Sequence, residues 1–395
     1  MPATLRRRDL LLGLLALPRI RITRVRLYES PISRPMFNQS FHVLTVETDA
    51  GITGIGEGGS PDLVRQAAQL IIGEDARQID ALWQLMCRGL FYPPGRELLH
   101  AIGAIDMALW DIRAKALNVP LYQILGGKSR EYIECYSTAF PRKGTLAETA
   151  RACIESGFRV YRTSVADPEK GQPFDARAII RKTVEQCREI REGVGASGGW
   201  AIDYHTRLDY ADAIRLSALL EPLEPVFAED LVRSENKAFY RQLRQAVRLP
   251  IAVGEQFGDR WEINELVEQR LIDWCRVSIP NCGGITEFMK ICALCETHYV
   301  GMAPHFTGPA GEAALVHCLI GYSGPVLMEM LGDGRRDVDY LPEHYDFRNG
   351  KLWPTERPGL GVTFDASRLK MIAEVIQGAK PIPVFRRPDG SLTNW

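Results

Sequence analysis

Three acidic residues occur at equal spacing in this chain, each at the end of a short apolar run. The runs read GGWAIDYH, PVFAEDL and LPIAVGEQ, and the intervals between their acids, from 203 to 229 and from 229 to 255, are both 26 residues. A strand, a loop, a helix and a second loop together take on the order of 25 residues. We therefore expect Asp203, Glu229 and Glu255 at the same ends of neighbouring parallel strands, where α/β proteins place their active sites.

Three carboxylates that converge on one point repel one another unless a cation lies between them. Hard oxygen ligands, with no Cys or His among them, suit Mg²⁺ better than zinc. The spacing therefore predicts a Mg²⁺ site formed by Asp203, Glu229 and Glu255. The alternative is that three unrelated acids cap three helices.

Two histidines also lie at predicted strand ends. His205 follows Asp203 by two residues, and the period of a strand puts both side chains on one face. His305 ends the seventh predicted strand, in GMAPHF, just before the turn residues Gly308 and Pro309. Imidazole can give or take a proton near neutral pH, so the pair predicts a general acid and a general base. The alternative for a lone histidine is a structural role.

Two further charged residues end predicted strands. Glu329 lies inside the apolar run PVLMEM, where a buried carboxylate requires a hydrogen-bonding role. It could instead bond a neighbouring strand end. Arg162, in VYRTS, ends the second strand and would place a fixed positive charge opposite the metal, which suits an anionic substrate.

The elements that position these residues form a βα repeat from Tyr132 onward. Its eight strand candidates read YIECYSTA, FRVYRTSV, WAIDYH, VFAEDL, IAVGEQ, CRVSIP, YVGMAPH and PVLMEM. Amphipathic helices lie between them, for example at 145–156, which starts with a capping box. Eight strands in strict alternation favour a closed barrel over an open sheet. After the barrel we expect a loop at 332–357 and a helix at 366–377 that packs back on the N-terminal region.

The region before the barrel has an α+β pattern. Strand-like runs are joined through Asp49-Ala50-Gly51 to ITGIGEG, which predicts a hairpin, and three helical segments follow. His100 lies on the last of these helices, and we expect it to be structural.

Composition limits the classes of protein. The 395 residues, 46% hydrophobic and 25% charged, indicate about two globular domains. A net charge of −1, with Lys, Arg, Asp and Glu spread throughout the chain, predicts neither nucleic acid nor a membrane surface as a partner. The cysteines are nine, an odd number, and we interpret them as reduced, mostly buried thiols.

The first 19 residues resemble the start of a twin-arginine export signal. Three consecutive arginines, 6–8, precede an apolar run that is too short to span a bilayer. However, no A-x-A cleavage site follows, and the chain continues directly into the predicted strand ITRVRLYES. We therefore expect a cytoplasmic protein, with export to the periplasm as the alternative.

From about residue 20 to its end, the chain resembles the enolase superfamily, in the mandelate racemase branch and nearest the acid-sugar dehydratases. The motifs that match are GITGIGE, AIDMALWDIRAKALNVPLYQILGGKSR, AIDYHTRL, FAEDL, AVGEQFGDRWE, GGITE and APHFTGPAGEAA. The resemblance implies an α+β capping domain at 20–130, completed by 357–395, and a (β/α)7β barrel at 131–356. It also implies an essential Mg²⁺ on Asp203, Glu229 and Glu255.

Departures from the family pattern limit which of the family's reactions this chain could perform. Racemases and lactonizing relatives carry K-x-K on the second strand, where this chain has Arg162-x-Ser164, and lactonizing relatives also carry a lysine on the sixth. That sixth strand reads Arg276-Val277-Ser278 here. AIDYHTRL resembles the strand of galactonate and mannonate dehydratases that supplies a metal ligand and a general acid. Mannonate-type enzymes have a loop tyrosine that is absent from 165–177, and Ser278 replaces the aspartate of galactonate-type enzymes.

The resemblance implies a small sugar acid as substrate, with its carboxylate on Mg²⁺ and near Glu329. We expect His305 to remove the α-proton, helped or replaced by Arg162, and His205 to protonate the departing β-hydroxyl, which gives a 2-keto-3-deoxy acid. Loops near 31–40 and 57–60 would select the hydroxyl pattern. The alternatives are an epimerase or racemase of a hydroxy acid, and an inactive metal-binding homologue. A homo-oligomer is also expected.

Overall fold

The computed structural model of the chain describes residues 19–30, 41–336, 338–379 and 384–393. Apart from Arg19, the candidate export signal lies outside these residues, and so does the loop at 31–40. In the described part of the chain, no helix combines the length and the apolar character that crossing a membrane requires.

The N-terminal region, here called the cap, contains a four-stranded antiparallel sheet. Its strands are β1 (Ile22–Tyr28), β2 (Val43–Thr48), β3 (Thr53–Glu57) and, from the far end of the chain, β14 (Met371–Val375). They are ordered β14-β1-β2-β3. The connection between β2 and β3 turns at Gly51, whose φ of 70° favours glycine. The predicted hairpin is therefore confirmed.

The cap helices are α1 (Pro61–Gln69), α2 (Ile79–Arg88), α3 (Arg96–Ala116) and the short α4 (Leu121–Ile124). The long α3 packs directly across β3. A Cβ added to Gly54 or Gly56 would collide with the carbonyl oxygens of Ala108 or Ala104 on α3. Glycine at these two positions therefore allows the strand and helix backbones to approach closely.

Eight parallel strands form the barrel. They are β4 (Ile133–Thr138), β5 (Val160–Ser164), β6 (Gly199–Asp203), β7 (Ala228–Glu229), β8 (Ile251–Val253), β9 (Trp274–Cys275), β10 (Gly301–Met302) and β11 (Met328–Leu331). Strands β4 to β10 pair in chain order, and β11 pairs with β4. A parallel bridge between Met302 and Val326 closes the ring. The predicted α/β fold, a (β/α)7β TIM-like barrel with an α+β cap, is confirmed.

Helices surround the barrel between successive strands. They are α5 (Leu146–Glu155), α6 (Ala176–Val194), α7 (Tyr210–Leu220), α8 (Phe239–Ala246), α9 (Arg260–Glu268), α10 (Ile279–Cys282), α11 (Ile285–Thr297) and α12 (Pro309–Leu319). The predicted capping box begins α5: the Glu148 amide donates to Thr145 Oγ1 over 3.2 Å, and the Thr145 amide donates to Glu148 Oε2 over 2.8 Å.

The helix predicted at 366–377 is wrong. The structure has a single 3-10 turn at Ala366–Arg368, followed by β14, which pairs antiparallel with β1. The residues of β14, MIAEV, include the β-branched Ile372 and Val375, and the open edge of β1 supplies the backbone partners that a strand needs. The tail does pack on the cap, as predicted.

The loop predicted at 332–357 contains a hairpin. Strands β12 (Asp346–Arg348) and β13 (Lys351–Trp353) pair antiparallel, and β13 pairs with β4. Asn349 and Gly350 connect them with φ values of 51° and 65°. Two residues with positive φ between antiparallel strands form the turn that Asn-Gly favours.

Candidate active site at the barrel mouth

The three predicted metal-binding acids lie at the C-terminal ends of adjacent strands. Asp203 ends β6 and pairs in register with Glu229, which ends β7. Glu255 follows β8 by two residues. Asp203 and Glu229 are buried, and the side chain of Glu255 is 15% exposed. The equal spacing thus corresponds to one height for Asp203 and Glu229, whereas Glu229 pairs with Ala252 and Glu255 follows that residue by three.

Arg276 is fully buried at the centre of this cluster. Its Nη2 lies 2.7 Å from Glu229 Oε1, 2.9 Å from Glu255 Oε2 and 2.8 Å from Glu329 Oε2. Its Nη1 donates to the hydroxyl of Tyr136, which lies on β4 across the barrel. One guanidinium therefore connects the ends of four strands or their following loops.

Arg162 is the second cation of the site. Its Nη1 lies 2.5 Å from Asp203 Oδ2 and 3.4 Å from Glu229 Oε2, and its Nε donates to Thr138 Oγ1 over 2.8 Å. Burial acts to lower the pKa of Arg162, but Glu229, Asp203 and nearby Glu329 outweigh it and raise that pKa. Arg162 therefore fits the predicted fixed positive charge and does not fit a base.

Glu329 is buried among donors. Its Oε1 accepts from the Thr138 hydroxyl, and its Oε2 accepts from Arg276 and, over 3.2 Å, from the Phe306 amide. Burial acts to raise the pKa of Glu329, but Arg276 and Arg162 hold it well below its usual range. In this arrangement the ionised form of Glu329 is favoured, and that form accepts hydrogen bonds and does not donate them.

The site contains more buried acid than its two guanidinium groups neutralise. Burial raises the pKa values of Asp203, Glu229 and Asp230, with Arg162 and Arg276 among the groups that oppose this rise. A divalent cation would supply the missing positive charge, and carboxylate oxygens are among the hard ligands that Mg²⁺ takes. The residues present therefore fit Mg²⁺ in type and in charge.

The positions of these side chains, unlike their types and charges, do not correspond to a metal site. In the described residues, no group of three His, Cys, Asp or Glu side chains is spaced to hold a metal ion. The oxygens of Asp203, Glu229 and Glu255 face the guanidinium groups of Arg162 and Arg276 instead. The assignment of these acids as ligands therefore stays a prediction.

His305 lies beside the acids, just past the seventh barrel strand, β10. Its Nε2 is 3.6 Å from Glu255 Oε2, and its ring stacks on Phe306 with centroids 4.3 Å apart. Its Nδ1 and the Ser278 hydroxyl are both buried without a hydrogen-bond partner among the described atoms. Ser278 thus does not orient the imidazole here, whereas Glu255 supplies the nearby negative charge.

His205 lies just outside the strand on which it was predicted. Strand β6 ends at Asp203, and His205 follows in a turn with φ of 50°. Its amide donates to Asp203 Oδ1 over 2.6 Å, and the next amide, of Thr206, donates to the Asp230 carbonyl over 3.0 Å. The half-buried His205 is close enough to affect the Asp203 carboxyl electrostatically.

Sequence reasoning missed two buried members of the cluster. The sequence was interpreted at Arg276 only as a position that lacks lysine. Its spacing of two from Ser278 nevertheless puts Arg276 and Ser278 on the same face of one strand. Asp230 directly follows Glu229 and accepts from Gln256 Nε2 over 3.1 Å. Its φ of 44° turns the chain, so alternation along a strand does not predict its direction.

Comparison with known proteins agrees with this architecture. The chain matches the N-terminal domain of mandelate racemase/muconate lactonizing enzymes over residues 22–126 and the enolase C-terminal domain-like family over residues 145–368. The chain belongs to the mandelate racemase/muconate lactonizing branch of the enolase superfamily.

Several relatives of this enolase-superfamily member are dehydratases. D-galactonate dehydratase from Xanthomonas oryzae pv. oryzae (strain PXO99A) is 34% identical over 370 residues, which cover 89% of this chain and 96% of the relative. That from Pectobacterium atrosepticum is 33% identical over 396 residues, covering 95% and 100%. The expectation of an enzyme, a lyase of the dehydratase type, is confirmed.

Solved structures show the same fold. An enolase-superfamily member from Salmonella Typhimurium has a TM-score of 0.83 and 26% identity, covering 90% of this chain and 100% of its own. A putative galactarate dehydratase from Agrobacterium radiobacter, bound to Na and L-malate, has a TM-score of 0.79 and 27% identity, covering 94% and 99%.

Proposed function

We propose that this chain is a Mg²⁺-dependent acid-sugar dehydratase. In this proposal it removes the α-proton of a sugar acid and eliminates the β-hydroxyl to give a 2-keto-3-deoxy acid and water. The observation that carries the proposal is that two histidines follow opposite strands of the ring whose mouth holds the carboxylate cluster. His205 follows the third barrel strand and His305 the seventh, and these strands face each other across an eight-stranded ring. Elimination needs one group for each proton.

Asp203, Glu229 and Glu255 would hold the metal. When bound, Mg²⁺ supplies positive charge that stabilises the charge developing on the substrate carboxylate as the α-proton leaves. Arg162 is a fixed cation beside the same acids, so it would hold the anionic substrate in register, whereas the fully buried Arg276 would hold the acids themselves.

His305 would take the α-proton. The imidazolium that forms is stabilised by Glu255, 3.6 Å away, which takes the place of the carboxylate missing at Ser278. Burial acts to raise the pKa of Glu255, but His305 and Arg276 outweigh it and lower that pKa to about 2. His205 would protonate the β-hydroxyl, which departs as water, and the enol then tautomerises.

The test is a panel of aldonates and uronates assayed with Mg²⁺ for 2-keto acid and, in D₂O, for exchange of the α-hydrogen. Wild type should form keto acid from at least one compound. His205→Asn should lose keto acid formation by at least about 100-fold while α-hydrogen exchange continues, and His305→Asn should lose both.

His298 provides a matched control, since its Nδ1 contacts the carbonyl of Leu294 on an outer helix. His298→Asn should behave as wild type. Exchange without keto acid in wild type would favour the epimerase alternative, and the absence of both across the panel would favour the inactive homologue.

Metal binding has a readout that needs no substrate. At a Mg²⁺ concentration of 100 times Kd, the free energy of unfolding should rise by about 2.7 kcal/mol. Asp203→Asn should remove this rise. Asp209→Asn, at the exposed N-cap of α7, is the matched control and should keep it. An equal rise in all three proteins would place the ion elsewhere.

The domain limits 20–130 with 357–395 and 131–356, the homo-oligomer and the cytoplasmic location, with the periplasm as alternative, stay predictions. Size-exclusion chromatography with light scattering would measure the oligomeric state.

A further inference from the structure

The interface between the cap and the barrel contains a carboxyl group that the chemistry above does not use. Glu57, the last residue of β3, is 1% exposed, and its Oε2 accepts a hydrogen bond from the Ala310 amide over 3.0 Å. Ala310 lies in the first turn of α12, which begins at Pro309, four residues after His305. Amides in the first turn of a helix have no partner within the helix, so the cap supplies one.

Gly308 shows how closely the two parts fit. Its φ of −79° and ψ of 174° are accessible to any residue. Nevertheless, a Cβ added to Gly308 would collide with the carboxyl group of Glu57. The requirement for glycine at this position therefore comes from the cap side chain and not from the local backbone.

The three residues between α12 and the site are held on the barrel side as well. The His305 ring stacks on Phe306, and the Phe306 amide donates to Glu329 Oε2 over 3.2 Å. Arg336 Nη2 donates to the Thr307 carbonyl over 3.4 Å. Only three residues separate α12 from His305, so a displacement of the first turn of α12 would reach the imidazole through this short segment.

Glu57 is buried next to other charged groups. Burial raises its pKa to about 8, the Ala310 amide opposes the rise, Glu312 adds to it and Arg336 opposes it. Tyr340 also lies near enough to interact. At pH 7 the carboxyl group therefore carries a proton, and Oε1, which has no hydrogen-bond partner among the described atoms, is the oxygen available for it.

We propose that Glu57 is a positioning residue through which the cap sets the place of His305 in the barrel. This rests on the proposed function, in which His305 is the base. Glu57 acts through Gly308 and α12, and it does not touch the reacting atoms.

A double-mutant cycle tests the coupling. Gly308→Ala alone should lower kcat by at least about tenfold, with KM within about threefold, because a displaced base loses its alignment. In the Glu57→Ala background the collision is absent, so adding Gly308→Ala should change kcat by less than about twofold. Glu57→Ser, which also removes the colliding carboxyl group, is the variant to use if Glu57→Ala does not fold.

Asp106, on α3 of the cap, offers a matched control, because it contacts α11, the barrel helix that precedes α12 in the chain. Its Oδ2 accepts from the Thr286 amide of α11 over 2.9 Å, and a Cβ on Gly284 would collide with it. Asp106→Asn should lower thermal stability in the same way as Glu57→Gln, and it should leave kcat within about twofold, since α11 does not follow His305 directly.

A second readout does not depend on turnover. The ring-proton NMR signals of His305, identified by their loss in His305→Asn, should shift in Glu57→Ala and in Gly308→Ala but not in Asp106→Asn. Unmoved His305 signals, or additive effects of Glu57→Ala and Gly308→Ala, would overturn the positioning role. If no sugar acid is turned over, the proposed function fails, whereas shifted ring signals would still support the coupling.

Discussion

Buried acids occur in two regions of this molecule, and they are stabilised in opposite ways. At the barrel mouth, burial acts to raise the pKa values of Glu255 and Glu329, but His305 and Arg276 outweigh it for Glu255, and Arg276 and Arg162 outweigh it for Glu329. Asp203 and Glu229, deeper in the same cluster, keep raised pKa values. At the interface between cap and barrel, Glu57 and Asp106 face backbone amides, and burial raises their pKa values to about 8 and about 7.

The difference shows what each region requires. Backbone amides satisfy the hydrogen bonds of an acid without neutralising its charge. At the interface between cap and barrel, a buried carboxyl group is therefore favoured in its protonated form, as a directional contact between two parts of the fold. Guanidinium groups keep the charge, which a site for a cation and an anionic substrate needs. His100 belongs to the first kind of region: its Nε2 lies 2.7 Å from Asn281 Oδ1, as expected of a structural histidine.

Removal of Arg276 should have the largest effect. Arg276→Met leaves Glu229, Glu255 and Glu329 without their shared cation, and breaking such buried pairs costs about 3–5 kcal/mol. We expect the free energy of unfolding, measured by urea denaturation, to fall by that amount, together with all dehydratase activity. Arg276→Lys should lose less stability, because it keeps the charge but not the fork of donors. Unchanged stability in Arg276→Met would refute the central role of this side chain.

The pH dependence of stability should separate the two kinds of acid. Since the pKa of Glu57 is raised in the folded state, its contribution is fully present below the unfolded pKa of about 4.5 and is lost as pH rises to about 8. Glu57→Gln mimics the neutral form, so its free energy of unfolding relative to wild type should rise steadily between pH 5 and pH 8. Urea denaturation at pH 5, 7 and 9 measures this.

Glu329→Gln is the contrasting variant in the same experiment. The pKa of Glu329 is lowered, so its contribution is present above the unfolded pKa and is lost only as pH falls below it. Glu329→Gln should therefore be destabilised by a constant amount from pH 5 to pH 9. If the free energies of unfolding of Glu57→Gln and Glu329→Gln, each relative to wild type, changed with pH in the same way, the two regions would not differ in how they stabilise buried acids.

An exposed ion pair should have the smallest effect. Arg207 Nη1 and Asp167 Oδ1 are 2.6 Å apart, but their side chains are 35% and 79% exposed. Water screens such a pair, so Asp167→Asn should change the free energy of unfolding by less than about 1 kcal/mol. A larger loss would mean that burial is not what distinguishes the Arg276 cluster.

The strand-end acids were predictable because the length of a βα unit repeats, and this repeat brings Asp203 and Glu229 into register. The partners of these acids were not predictable from the sequence. Arg276 reaches several strand ends at once, which depends on the closure of the ring and on side-chain conformation. Neither is encoded in local periodicity.

Two errors have different physical origins. The hairpin around Asn349 and Gly350 has the strongest short-range turn signal known, so the sequence contained what was needed to predict it. Strand β14 could not be predicted in this way. The hydrophobic pattern of MIAEV does not distinguish a helix from a strand, and its conformation depends on pairing with β1, more than 340 residues earlier in the chain.

That pairing constrains synthesis on the ribosome. Strand β1 emerges before the whole barrel has been made and must keep one edge open until β14 arrives. An open edge can recruit other chains, but Arg24 and Arg26 project from β1 and later pair with Glu374 of β14. The same two arginines thus put charge beside the open edge of the nascent strand and later pair with Glu374 in the finished sheet.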